Sequence, residues 1–152
     1  MNTYMKKAID LAMNNVTDGG QPFGAVIVRD DKIVAEGVNE LHLIHDISGH
    51  AEMIAIRKAQ KLFQTNDLSE FTIYASGEPC AMCLTAMYFA GIKDIYFCQS
   101  IDDAKKVGLT KSSEIYEDLK LNREERSIVM KQVNLSNAEN PMQYWQSKQN
   151  KE

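Results

Sequence analysis

No stretch of this chain approaches the roughly 18 uninterrupted apolar residues that a membrane-spanning helix requires. Residues 1–11 carry Lys6, Lys7 and Asp10 where a signal peptide would have a continuous apolar run, so they do not read as one. Positive charge is short as well. Seventeen Lys and Arg stand against 21 Asp and Glu, a net charge of -4, which offers no long basic face to nucleic acid or to an anionic membrane. Cysteine is scarce: three residues suit metal binding or free thiols better than a disulfide framework. No internal repeat, low-complexity tract or linker interrupts the chain. These absences predict a cytoplasmic protein that does not enter a membrane. What is present, 44% hydrophobic and 25% charged residues, is the balance of a globular protein. The length of 152 residues fits a single domain over 1–152 with a real core.

Hydrophobic spacing predicts the order of elements. Met5, Ala8, Ile9, Ala12, Met13 and Val16 recur at helical intervals over residues 4–16, and Asp18-Gly19-Gly20 ends that helix. Residues 23–28 read as a buried strand. A polar turn, Arg29-Asp30-Asp31-Lys32, leads to a second strand over 33–39, so the pair forms a hairpin. After a loop over 40–49 a helix carries the stripe Ala51, Ile54, Ala55, Ala59 and Leu62, with Arg57, Lys58 and Lys61 left to water. A third strand falls at 71–75 and a helix runs from about Cys80 to Ala90, with Gly91 as its C-cap. A fourth strand at 94–98 makes a β-α-β crossover with the third, so these two are parallel. Short helices are expected near 103–106 and 113–120, a last strand at 128–133, and a terminal helix after Asn140-Pro141. The sum is an α/β fold, a three-layer α/β/α sandwich on a central mixed sheet of about five strands.

Two stretches carry chemistry. His50-Ala51-Glu52 opens one predicted helix and Pro79-Cys80-Ala81-Met82-Cys83 opens another. One imidazole and two thiols make three zinc ligands with a fourth tetrahedral position open, which is the pattern of a catalytic site. A carboxylate near the His is then placed to move protons for a zinc-bound water. Each half alone stays ambiguous. Cys80 and Cys83 share a helix face and a favourable helix N-terminus, but they also suit two buried small residues or a redox pair. Against the redox pair, the aromatic and glycine of a thioredoxin-type motif are missing. His50 alone reads as a helix-start residue and Glu52 as a solvated first-turn carboxylate. Two residues apart on a helix lie about 200° apart, so the spacing by itself does not aim the pair at one point. Cys98, closing a strand, reads as a buried small residue, and His42 and His45 as solvated loop histidines. Tyr144 and Trp145 suit packing or dimer contacts as well as an active-site cover.

The combination is more specific than its halves. His-x-Glu followed about thirty residues later by Pro-Cys-x-x-Cys is the motif of zinc-dependent deaminases. Together with Pro22-Phe23-Gly24-Ala25-Val26-Ile27-Val28, Glu36-Gly37-Val38-Asn39, Glu78-Pro79 and the C-terminal Pro141-Met142-Gln143-Tyr144-Trp145, it makes the chain resemble the cytidine deaminase-like superfamily over nearly its whole length. Within it the chain is most similar to bacterial guanine deaminases, with tRNA adenosine deaminases and yeast-type cytosine deaminase as relatives. The resemblance implies that His50, Cys80 and Cys83 hold Zn2+ and that Glu52 is the proton shuttle. It implies that Asn39 hydrogen-bonds the substrate base, that Phe23 walls the ring pocket, and that Ala51 lends a backbone N–H. Asn39 alone reads equally as a turn residue closing its strand.

The implied reaction is hydrolysis of an amino group on a purine base, guanine to xanthine and ammonia, with tRNA adenosine or another base such as cytosine as the alternative. A small-molecule nucleobase, not nucleic acid, is the implied partner, and a homodimer with exchanged C-terminal segments is the implied assembly. One departure stands out. In those guanine deaminases an acidic residue after the fourth strand and a C-terminal aromatic help close the site. Here the loop reads Gly108-Leu109-Thr110-Lys111-Ser112-Ser113-Glu114 and the chain ends in Lys151-Glu152. Either Glu114 takes the acidic role at a shifted position or the substrate differs.

Overall fold

A computed structural model describes residues 2–150, which fall into two compact units that divide after Lys120. The first unit is built on β1 (Gly24–Arg29), β2 (Lys32–Val38), β3 (Thr72–Gly77) and β4 (Asp94–Gln99), with α1 (Asn2–Thr17), α2 (Ala51–Phe63), α3 (Ala81–Ala90), α4 (Ile101–Lys106) and α5 (Lys111–Leu119). The sheet order is β2-β1-β3-β4. The outer pair β1–β2 and the central pair β1–β3 are antiparallel, and β3–β4 are parallel as the crossover predicts.

Strand residues alternate between faces, and the alternation makes the three layers. Ala25, Ile27 and Ile73 join Ala51, Ala55, Ala59, Cys83 and Met87 in one core, under α2 and α3. Val26, Val28 and Tyr74 face the other way, against Tyr4, Met5 and Leu11 of α1. Ile27, Ile73 and Met87 are fully buried, each contributing about 1.5–3 kcal/mol relative to exposure. The buried side of α1 is Ala8, Ala12 and Asn15; Met13 and Val16, placed on the stripe by spacing, face water, as does Leu62 of α2. The β1–β2 turn lacks the usual Asn-Gly pair. Asp30 and Asp31 both take left-handed backbone, φ 51° and 60°, which two-residue hairpins need and which Asp tolerates better than most residues. The Tyr4 hydroxyl donates to the Asp31 carbonyl at 2.8 Å.

Among the described residues four strands form, not five. Residues 128–133 take no strand and pair with none among the described residues. Their three consecutive apolar residues, Ile128, Val129 and Met130, break the alternation that a half-buried strand needs, and all three are exposed. The second unit holds a short 3-10 turn (Arg123–Glu125) and α6 (Pro141–Gln149), which starts as expected. Pro141 sits in its first turn and the Asn140 side chain accepts from the Gln143 N–H at 3.0 Å. No described helix is long and apolar enough to cross a membrane.

Candidate active site

Antiparallel pairing of β1 with β2 and β3 sets Gly24 opposite Val38 and Ala25 opposite Ala75. Phe23, Asn39 and Gly77 therefore arrive at one edge of the sheet. A side-chain carbon on Gly77 would sit 2.9 Å from the Phe23 ring, so glycine there lets the ring lie against the start of the Glu78-Pro79-Cys80 turn. The loop after β2 returns to its origin, because the Glu40 N–H donates to the Gly49 carbonyl at 2.8 Å. Asp46 braces it by accepting from the Ser48 N–H at 3.0 Å and hydroxyl at 2.6 Å, and Arg57 of α2 reaches the Ser48 hydroxyl. Those bonds from Ser48 hold the Asp46 carboxyl below the usual carboxylate range. His50 is thereby delivered beside the strand ends. Gly37 completes the placement: a side-chain carbon there would lie 2.1 Å from the Ala51 carbonyl oxygen, so only glycine lets the first turn of α2 rest on β2.

Both ligand-bearing helices begin one residue later than their motifs suggest. His50 is the N-cap of α2 with φ -81° and ψ 153°, and Cys80 the N-cap of α3 with φ -68° and ψ 170°. Extended backbone at His50 removes it from the 100°-per-residue rotation of the helix, which is how His50 and Glu52 turn toward one place. Neither N-cap side chain caps its own helix; both turn to the cluster. Cys80 Sγ and Cys83 Sγ each lie 3.5 Å from His50 Nδ1, and the two sulfurs are 3.6 Å apart. Around a tetrahedral zinc, bond lengths of about 2.3 Å to sulfur and about 2.0 Å to nitrogen give edges of about 3.5 Å and about 3.8 Å. The triangle matches that geometry and fits the ion. Among the described residues this is the group of His, Cys, Asp or Glu side chains arranged to hold a metal.

The charges agree with the geometry. The Cys83 thiol donating to it, with the His50 ring alongside, draws Cys80 down to about 4, while sharing that proton and being buried pushes Cys83 up. The pair thus gives up one proton readily and keeps the second until a cation displaces it. Hydrogen bonding to Cys80 raises His50. Glu52 is buried, 7% exposed. Burial pushes its carboxyl up to about 7, with Cys83 within hydrogen-bonding reach.

The other predicted residues are distributed unevenly. Ala51 is fully buried as the first residue of α2, where helix N–H groups lack intrahelical partners. Asn39 is 1% exposed; its Oδ1 accepts from the Leu41 N–H at 3.0 Å, as a turn residue's would, and its Nδ2 donates to Gln21 Oε1 at 3.4 Å. Phe23 is half-buried, packed on the α2–α3 core, and its carbonyl accepts from the Asn39 N–H at 3.3 Å. Glu114 is exposed in the first turn of α5. Tyr116 of the same helix reaches Pro79, and residues two apart on a helix face about 200° apart, so Glu114 points away from that turn while Ser112 and Ser113 share the Tyr116 side. Cys98 is exposed, not buried, because β4 is an edge strand, and it stands outside the cluster. His42 and His45 are exposed.

Sequence reading missed Asn15, Gln21 and Tyr116. Asn15 donates to the Gln21 carbonyl at 2.8 Å and the Asn39 carbonyl at 2.9 Å, fixing both loops from α1. Its signal was there, a polar residue at the helical interval set by Ala8 and Ala12; Gln21 and Tyr116 gave none. A surface groove of about 720 Å³ between β2 and α2, lined by Ile33, Glu36, Lys58 and Leu62 among others, includes none of these residues.

Residues 1–99 match the family model of the cytidine and deoxycytidylate deaminase zinc-binding region. Guanine deaminase of Bacillus subtilis is 41% identical over 98% of this chain and 96% of its own length. Its crystal structure superposes with a TM-score of 0.90, covering 96% of this chain and 93% of that one. A tRNA-specific adenosine deaminase of Aquifex aeolicus is 31% identical over 78% of each chain. A guanine deaminase from Nitrosomonas europaea matches with a TM-score of 0.64 at 26% identity, covering 69% of this chain and 62% of the other. With its metal triangle and a buried carboxyl beside it, the chain belongs to the zinc-dependent deaminases of the cytidine deaminase-like superfamily.

Proposed function

We propose that this protein hydrolyses guanine to xanthine and ammonia, with His50, Cys80 and Cys83 holding zinc and Glu52 carrying protons. The observation that carries the choice of base is the likeness to Bacillus subtilis guanine deaminase along almost the whole of both chains. The Aquifex tRNA-specific deaminase matches 78% of the chain, and the net charge of -4 gives no support to a polyanionic substrate.

Bound zinc supplies Lewis acidity and a water made acidic enough to attack near neutral pH. The chain's own residues do the rest. Glu52, whose carboxyl burial pushes up to about 7, takes the water's proton and passes it to a ring nitrogen, which makes the amino-bearing carbon electrophilic. The water's oxygen would then bond to that carbon, and Glu52 moves the proton left on this oxygen to the amino group, so that the C–N bond breaks, ammonia leaves and a carbonyl stands in its place. Asn39 and the Ala51 N–H hold the base edge, and Phe23 covers the ring. Glu114, on the outward side of α5, reaches a bound base only if that helix rotates. If Glu114→Gln leaves KM and kcat unchanged, that role is removed.

The whole chain acts as one catalytic domain in the cytoplasm, in a homodimer that exchanges C-terminal segments. The support is the second unit itself: none of residues 121–150 is buried, while Met130, Val133, Leu135, Met142, Tyr144 and Trp145 are exposed. A segment of this apolar content needs a cover to hold its shape. An ammonia-release assay over guanine, adenine, cytosine, their nucleosides and tRNA tests the substrate. Guanine should dominate, with xanthine formed in equal amount. Dominant release from tRNA, falling steeply with salt, would replace this reading with the tRNA one.

A further inference from the structure

Three contacts outside the metal triangle converge on the dipeptide before Cys80. The Tyr116 hydroxyl of α5 donates to the Pro79 carbonyl oxygen at 2.7 Å. Glu78 Oε1 accepts from the Ile101 N–H, the first residue of α4, at 3.0 Å. The Glu78 N–H donates to the Gln99 carbonyl at 2.7 Å. Proline contributes no N–H and has a fixed φ, so the turn's direction depends on few groups.

The ligands differ in what holds them. Cys83 lies inside α3 and its direction follows from the helix. His50 has the braced loop on one side and Gly37 under the turn that follows it. Cys80 is the N-cap, at the junction between β3 and α3, with a carbonyl that already starts the helix by accepting from the Leu84 N–H at 2.9 Å. Its remaining backbone freedom is rotation of the Pro79–Cys80 peptide. That peptide is planar, so holding the Pro79 oxygen holds the Cys80 N–H and, with it, the Cα–Cβ bond from which Sγ projects. Among the described residues, the Tyr116 hydroxyl donates to the Pro79 carbonyl and not to a ligand side chain.

We propose that Tyr116 and Glu78 are positioning residues for the metal ligand Cys80, clamping the turn that carries it to α5 and to the start of α4. The proposal rests on the reading of His50, Cys80 and Cys83 as the zinc site. Metal retention then depends on residues 100–119, which contribute no ligand. Removing such an outer contact from a metal ligand costs about 10–100-fold in affinity.

The experiment measures zinc release from the zinc-loaded protein to a chelating dye, with the visible absorption of the cobalt-substituted protein as a readout of ligand geometry. Tyr116→Phe keeps the ring and removes the donor. It should release zinc about tenfold more readily and shift the cobalt spectrum, while the metal-free protein melts close to wild type. Glu78→Ala should behave likewise. Glu78→Gln, whose amide oxygen still accepts from Ile101, should retain wild-type release and spectrum. Wild-type release and spectrum in both Tyr116→Phe and Glu78→Ala would overturn the proposal, and so would equal zinc loss in Glu78→Gln and Glu78→Ala. Cys83→Ala runs alongside: if it too keeps wild-type zinc, the reading of the triangle as the zinc site has failed, a result distinct from failure of the clamp.

Discussion

Glu52 sits where the proposed proton transfer needs a carboxyl. Buried, with its carboxyl pushed up to about 7, it can take and return a proton within one turnover at neutral pH. The neighbouring thiols have the complementary property. At neutral pH the metal-free pair keeps one proton, because Cys83 is pushed up, and zinc must displace it. The sign follows: acidification favours the protonated, metal-free form, so zinc affinity should fall about tenfold per pH unit for each proton displaced. Chelator competition between neutral and mildly acidic pH checks this, and an affinity independent of pH would contradict it. Cys83→Ala should lose more than the roughly 100-fold seen for outer contacts and should lower the melting temperature of protein prepared with zinc. At this scale the ligand residues were legible in sequence because thiol and imidazole chemistry is rare and their spacing distinctive. Tyr116 was not, because a tyrosine on an amphipathic helix is ordinary until its partner is known to be the Pro79 carbonyl.

Elements bring these side chains together, and glycine at one crossing decides how closely. α2 lies on β2 at Gly37, where an added carbon would meet the Ala51 carbonyl oxygen at 2.1 Å. Gly37→Ala must push the first turn of α2 outward and take His50 with it. Overpacking of this kind costs about 1–3 kcal/mol, so chemical denaturation should show that loss together with weakened zinc binding. Unchanged zinc binding would mean that His50 is placed by its loop alone. The hairpin, the crossover and all four strands were legible from alternation and turn residues. The helix starts were not. Spacing put His50 and Glu52 on opposite sides of a helix, and the conflict vanished only once His50 proved to be an extended N-cap. The strand expected at 128–133 does not form: its alternation is broken, and pairing is in any case a property of the sheet and not of the segment.

For the molecule as a whole, the sheet edge gathers the strand ends and two helix N-termini, and the metal triangle forms where they meet. The C-terminal unit has none of its described residues buried, which is the observation behind the proposed dimer. Sedimentation at micromolar concentration should give a dimer; a monomer with full activity would contradict the exchanged arrangement. The central claim is that His50, Cys80 and Cys83 hold a zinc ion served by Glu52. Zinc content and ammonia release from guanine, measured side by side for wild type and Glu52→Gln, test it most directly. The account predicts one zinc per chain in both proteins and a rate lowered by about 10²–10⁴-fold in Glu52→Gln. Turnover near the wild-type rate in Glu52→Gln, or activity in wild type stripped of zinc, would contradict it.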